Sequence, residues 1–212
     1  MMIVAVAICI LILGFQSAFA EADNSYQPIP GTVIQLGQYE QDNKPDNGQE
    51  AIEWVILEVN DGKALLLCRQ ALDCFAFNEE NQNESWETSS IRTWLNETFF
   101  QNAFSPYEQQ AVFPASVSNA ADECNPEWNK VEASATKDRV FLLSYAEILR
   151  YFSEQNGRKT TSTEFARGRG AGAPGLFTFI ISETDWWLRS PGKVPNDAAF
   201  IDVNGAVGTK NT

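Results

Sequence analysis

Short apolar stretches punctuate this chain, and longer polar segments separate them. The clearest alternation runs from Ile52 to Val59, with Ile52, Trp54 and Ile56 on one face and Val55, Leu57 and Val59 on the other. Successive strand side chains point to opposite faces, so this segment reads as a strand. Asn60-Asp61-Gly62 follows, a turn sequence that accommodates positive φ, and Lys63–Cys68 reads as the partner strand. Apolar residues on both faces predict a hairpin covered on both sides. Thr32–Tyr39 is a shorter strand ahead of it, and residues 40–49 are a polar loop. Arg139–Leu143, Phe177–Ile181 and Ala198–Val203 read as further strands. Asn204-Gly205 is a second hairpin turn, and Ala206-Val207-Gly208 starts a return strand. Little chain follows before Thr212, so this hairpin reads as a truncated sheet with an open edge.

A helical period takes over elsewhere. Ile91, Trp94, Leu95 and Phe99 form one stripe, with Thr88 or Ser89 as the N-cap. Ser105-Pro106-Tyr107-Glu108 is a capping box with Pro at the first helical position. Ser144-Tyr145-Ala146-Glu147 is another, opening a helix through Phe152, and Thr160–Ala166 holds one more helical turn. Residues 118–138 are polar and irregular around an isolated Trp128. Residues 167–175, RGRGAGAPG, read as a loop. No strand–glycine–helix order and no Gly-Lys-Ser/Thr surround it, so it is not a phosphate cradle.

Residues 1–20 carry no charge and are almost wholly apolar, and Ala18-Phe19-Ala20 precedes acidic Glu21. The apolar core is short for a membrane span and fits a signal peptide. No Lys or Arg precedes it, which leaves an uncleaved anchor as the alternative. Residues 21–31 read as a polar leader and 32–212 as a single domain. Cleavage implies a secreted or cell-surface protein with no stable membrane span.

Composition then narrows the chemistry. Acids outnumber Lys and Arg by 28 to 15, giving a net charge of −13, which argues against nucleic-acid partners. The chain has no histidine. Ser-His-Asp and Cys-His nucleophiles and His-dependent zinc sites are therefore excluded. Cys68, Cys74 and Cys124 remain after a cleaved leader, too few for a four-cysteine metal site. Cys124 could bridge to Cys68 or Cys74, or all three could stay reduced and buried. Neither a cofactor nor a metal is expected.

The order of landmarks carries a resemblance. It runs IEWVIL, a hairpin, ALLL, ALDC, IRTWLN, AFSPYEQ, DRVFLLSYAE, DWWLRSPG and a short strand ending in Val203-Asn204-Gly205. This resembles a domain family of unknown function in secreted and surface proteins of gut-dwelling Firmicutes, whose hallmark is W-W-L-R-S-P-G. The resemblance covers about residues 30–208. It extends to the C-type-lectin-like and formylglycine-generating-enzyme-like folds. The implied fold class is α+β, with two main helices on a twisted, mainly antiparallel sheet and long loops. Val194-Pro195-Asn196-Asp197 lacks the first carboxylate of a lectin calcium loop, and no cysteine follows Cys124 to build a copper site. The terminal strand with which that family usually ends is absent here.

Asp185, beside Trp186, is the best candidate for a raised carboxylate, although an Asp holding a turn is the commoner role. Arg92 and Arg189 stand among tryptophans, where an Arg stacks on indole or orients a ligand anion. Along DWWLRSPG, alternation puts Trp186 and Leu188 on one side and Trp187 and Arg189 on the other. One tryptophan then enters the core, and Ser190-Pro191-Gly192 ends the strand. The candidate ligand-binding residues are Trp187, Arg189, Trp128 and Trp86, with no catalytic residue assigned. The reading is an exported, non-catalytic binding module for a glycan or a cell-surface protein. The alternatives are an enzyme with an unrecognised carboxylate site and a structural or adhesion module of the cell envelope.

Overall fold

A computed structural model describes residues 3–6, 9–13, 28–79, 85–128, 133–172 and 182–211. Its first elements lie inside the apolar segment read as a signal peptide: β1 (Ile3–Val6) and β2 (Cys9–Leu13). Then come β3 (Val33–Tyr39), β4 (Glu50–Asn60), β5 (Lys63–Cys68) and β6 (Asp73–Ala76). The β4–β5 hairpin turns at Asp61 and Gly62, with φ of 48° and 71°, the paired positive angles of a tight two-residue turn. Ile52, Trp54 and Ile56 of β4 and Ala64, Leu66 and Cys68 of β5 share one fully buried face. Each large side chain among them contributes about 1.5–3 kcal/mol by leaving water. Val55, Leu57, Leu65 and Leu67, on the opposite face, are only half-buried. The expectation of cover on both sides is thus met in part.

The striped helix forms as one unbroken helical run that changes hydrogen-bonding register twice. Its parts are α1 (Ser90–Trp94), a π-helical turn (Leu95–Phe99) and α2 (Phe100–Ala103). Ser89 caps the run, its hydroxyl accepting from Arg92 N at 3.4 Å, and Ile91, Leu95 and Phe99 are fully buried. Next comes α3 (Pro106–Ala111), which opens on the full Ser105/Glu108 capping box. Then follow β7 (Ala115–Val117), β8 (Thr136–Asp138) and β9 (Val140–Phe141). The Ser144/Glu147 box opens α4 (Tyr145–Tyr151), and β10 (Thr160–Thr161) leads to α5 (Glu164–Gly168), capped by Thr163. After β11 (Glu183–Thr184) come β12 (Trp186–Pro191), β13 (Asp197–Ile201) and β14 (Val207–Asn211). The strand read at Phe177–Ile181 lies outside the described residues.

The architecture is mixed α+β, with a few short helices in place of two main ones. One five-stranded sheet has the order β3-β4-β5-β2-β9 and is antiparallel throughout. The other has the order β14-β13-β12-β1-β6, with β1 parallel to β12. Two-stranded pairs β10–β11 and β7–β8 complete the pattern. The return strand read as a stub instead pairs along all of β13, from Asp197↔Asn211 to Ile201↔Val207. It leaves β14 at the sheet edge. Cys68, Cys74 and Cys124 are buried.

Asn96 shows how a helix completes a sheet here. Its Nδ2 donates to Val140 O at 2.9 Å, and its Oδ1 accepts from Arg139 N at 2.8 Å and Val140 N at 3.2 Å. One side-chain amide therefore stands where a neighbouring strand would pair with β9.

Candidate functional site

Both faces of β12 are covered, so all of Trp186, Trp187, Leu188, Arg189 and Ser190 are buried. Trp187 has no exposed surface, packs edge-on to Phe77 and Phe200, and donates Nε1–H to Phe75 O at 3.1 Å. Trp186 is equally enclosed and donates to Arg158 O at 3.0 Å. Both tryptophans therefore enter the core, where alternation alone allowed one. Pro191 ends the strand past a register shift against β13, the kind of place a ladder tolerates proline.

Arg189 shares this enclosure. Its guanidinium grips Glu147 through both terminal nitrogens, at 2.5 and 3.0 Å, and donates to Leu142 O at 2.8 Å and Ser118 O at 3.1 Å. Every branch of the fork is engaged within the fold. Trp86 donates Nε1–H to Asp138 Oδ2 at 2.9 Å, and Asp138 also receives Thr136 Oγ1 at 2.6 Å and Arg92 Nε at 2.7 Å. Arg92 thus serves a buried carboxylate rather than an indole. Trp128 is half-buried and tilted 6.0 Å from Tyr145. Of the four candidate binding residues, the fold brings Trp86 and Arg189 to one cavity, without Trp187 or Trp128. Its room is about 20 Å³, enough for about one water and too little for a sugar ring.

Asp185 holds a turn. Oδ1 accepts from Val203 N at 2.9 Å and Oδ2 pairs with Lys210. The β13–β14 hairpin is thereby tied to the start of β12. The acids Glu40, Asp42 and Glu50 gather at the surface, but they organise their own loop. Glu40 and Asp42 accept from Lys44 N at 2.9 Å each, and Glu50 accepts from Gln41 N at 2.7 Å. The Asp42 carboxyl is held below its ordinary value, chiefly by the hydrogen bond from Asn47.

A roomier depression lies elsewhere. An open groove of about 670 Å³ runs between β3 and the α2–α3 corner, lined by Gln35, Gln38, Gln49, Asn102, Tyr107 and Glu108. Residues three apart in a regular strand face opposite ways. The β3–β4 register shifts between Gln35 and Gln38, and this irregularity lets both amides reach the groove. Gly37, inside the shift, has φ of 72°, and a Cβ there would meet Ala103 O at 2.6 Å. Its N–H donates to Glu108 Oε1 at 2.8 Å, while Trp54 Nε1 pins Leu36 O at 2.8 Å. The strand is thus pressed onto the helix corner at a position only glycine fits.

The four groove amides, Gln35, Gln38, Gln49 and Asn102, are exposed, and none bonds to another described residue. Tyr107 is 55% exposed. Glu108 is the groove's one carboxylate, and its second oxygen is taken by Ser105 N at 2.8 Å and Ser105 Oγ at 2.7 Å. The chemistry on offer is neutral: amide donors and acceptors beside one exposed aromatic ring, Tyr107, with the buried Phe104 beneath. Nothing in the sequence pattern marks these residues, because polar amides next to turns look like ordinary surface.

Comparison with known proteins gives one match. The model of a family described as a domain of unknown function (DUF6273) matches residues 61–212. No curated protein matches the chain. No solved structure matches it either. The family match covers well over half the chain, from the β4–β5 turn through β14, and the protein belongs to the DUF6273 domain family.

Proposed function

We propose that this protein is an exported, non-catalytic binding module, C-type-lectin-like in architecture, whose β3/α3 groove holds a neutral glycan. The observation that carries the reading is the set of four exposed amides beside Tyr107. A sugar hydroxyl both donates and accepts, and so does a carboxamide. An exposed phenol ring offers an apolar face for sugar C–H groups. The lone carboxylate, Glu108, is already engaged, so the groove lacks the paired acids that glycoside hydrolysis uses. The signal-peptide-like residues 1–20 and the order of landmarks support export and the lectin-like reading. Among the described residues, no helix is long and apolar enough to cross a membrane.

The purified chain on a glycan array tests this. Neutral oligosaccharides are expected to bind, and Gln38→Ala and Tyr107→Ala each to weaken binding about 3- to 10-fold, the worth of one neutral hydrogen bond or ring contact. Trp128→Ala should leave affinity unchanged. Binding lost in Trp128→Ala but intact in the groove variants would move the site to the 118–128 loop. An array silent throughout, with a cell-surface protein captured instead, would overturn the glycan reading.

A further inference from the structure

The two strands at the start of the chain stand inside the two large sheets, each one strand in from an edge. β2 lies between β5 and β9, and β1 lies between β12 and β6. All of β2 pairs with β5, from Cys9↔Leu67 to Leu13↔Lys63, and Cys9 and Ile10 also pair with Phe141 and Val140. All of β1 pairs with β6, from Ile3↔Ala76 to Val6↔Asp73, while Ala5 meets Trp186 of β12. Among the described residues, β1 is the sole ladder partner of β6, and β2 of β9. Take residues 3–13 away and β5 and β12 become edges facing strands with no ladder at all. Such an edge is a template for another strand.

The far walls of this slot are anchored independently of what fills it. β9 is held by the Asn96 amide, at Val140 O and Val140 N. β6 is held at Phe75 O by Trp187 Nε1. Its Asp73 receives Tyr39 Oη at 2.6 Å and Arg169 Nε at 2.6 Å. These tethers keep the walls spaced for one more strand. The filler strands, IVAV and CILIL, are uncharged and apolar, aliphatic apart from Cys9. That is the composition of a strand inserted within a covered sheet.

We propose that the body of this domain is a strand acceptor. Its slot takes extended, uncharged, apolar strands, which are residues 3–6 and 9–13 in the unprocessed chain and a segment donated by another polypeptide after their removal. Pairing would be through main-chain hydrogen bonds, as in β-strand addition. The donated-strand half rests on residues 1–20 being removed at export. The test cleaves the chain directly, so a failure of that reading is separable from a failure of the slot.

The full chain, carrying a site-specific protease sequence between residues 20 and 21, is folded and then cut. The N-terminal piece is expected to co-elute with the body on native size exclusion and to part from it only in denaturant. The body freed of it should melt at least about 10 °C lower and lose amide protection along β5, β6 and β12. A peptide of residues 3–13 with solubilising lysine tails should then bind one to one and restore both. The same peptide with Ile10→Pro, which removes a ladder donor, should bind at least tenfold more weakly. A body that keeps its melting temperature and amide protection without residues 1–20, and takes up no peptide, overturns the proposal. So does a body that unfolds on losing them and is not restored by the peptide.

Discussion

Arg189 ties together three segments distant in sequence: the loop after β7 through Ser118, the end of β9 through Leu142, and α4 through Glu147. Truncating one partner of a buried pair strands the other, so Arg189→Ala is expected to cost about 3–5 kcal/mol in urea denaturation. Arg189→Lys should recover less than half, because an ammonium cannot fork onto Glu147 and two carbonyls together. The buried thiols set an alkaline limit. Burial pushes Cys68 up from 9.0 to about 12, and burial followed by the Asp73 carboxylate does the same for Cys74. Burial and Asp73 also push up the Tyr39 phenol. A folded-state value above the unfolded one means the folded chain holds the proton more tightly. The stabilisation from the thiols is therefore fully present below pH 9 and is lost as pH rises toward 12. Denaturation measured across that window should show falling stability, with a shallower fall in Cys68→Ala, by up to about 1.4 kcal/mol per pH unit.

The local elements were legible where a short code fixes them. Both capping boxes, the Asp61-Gly62 turn and the Asn204-Gly205 turn stand where their residues point, because each depends only on near neighbours. Ser105→Ala should cost about 1 kcal/mol. Ser144→Ala should cost more, about 2–3 kcal/mol, since the buried Ser144 hydroxyl also donates to Glu123 at 2.5 Å. Matched thermal melts would compare the two. What depends on remote partners was not legible. A leader and a strand covered on both sides share one composition, so IVAV and CILIL cannot reveal their places, the first between β12 and β6 and the second between β5 and β9. The π-helical turn at Leu95–Phe99 carries no mark in the stripe that contains it. Trp86 and Arg189 looked like ligand contacts because an aromatic or a guanidinium reads alike in a site and in a core. Only the partners Asp138 and Glu147, about 40–50 residues away, distinguish the two.

For the molecule as a whole, charge and binding are expected to separate. The chain carries −13, yet the groove is lined by neutral amides and a carboxylate engaged by Gly37 and Ser105. Glycan affinity measured by calorimetry should therefore stay within about twofold between low and high salt, where a charge-driven contact would weaken steeply. The groove was unreadable beforehand because its banks come from separate stretches of chain, joined by the Gly37–Glu108 hydrogen bond. That join has a consequence for how relatives are compared. The family match begins at Asp61, inside the β4–β5 turn, so Gln35, Gln38 and Gln49 fall before it and Asn102 and Tyr107 within it. A protein trimmed to the matched boundary would keep one bank and drop the other, along with the Trp54 anchor that shapes it. Two members alike over the matched region can thus differ in what they grasp, and a ligand found for one transfers to the other only after the unmatched bank has been read.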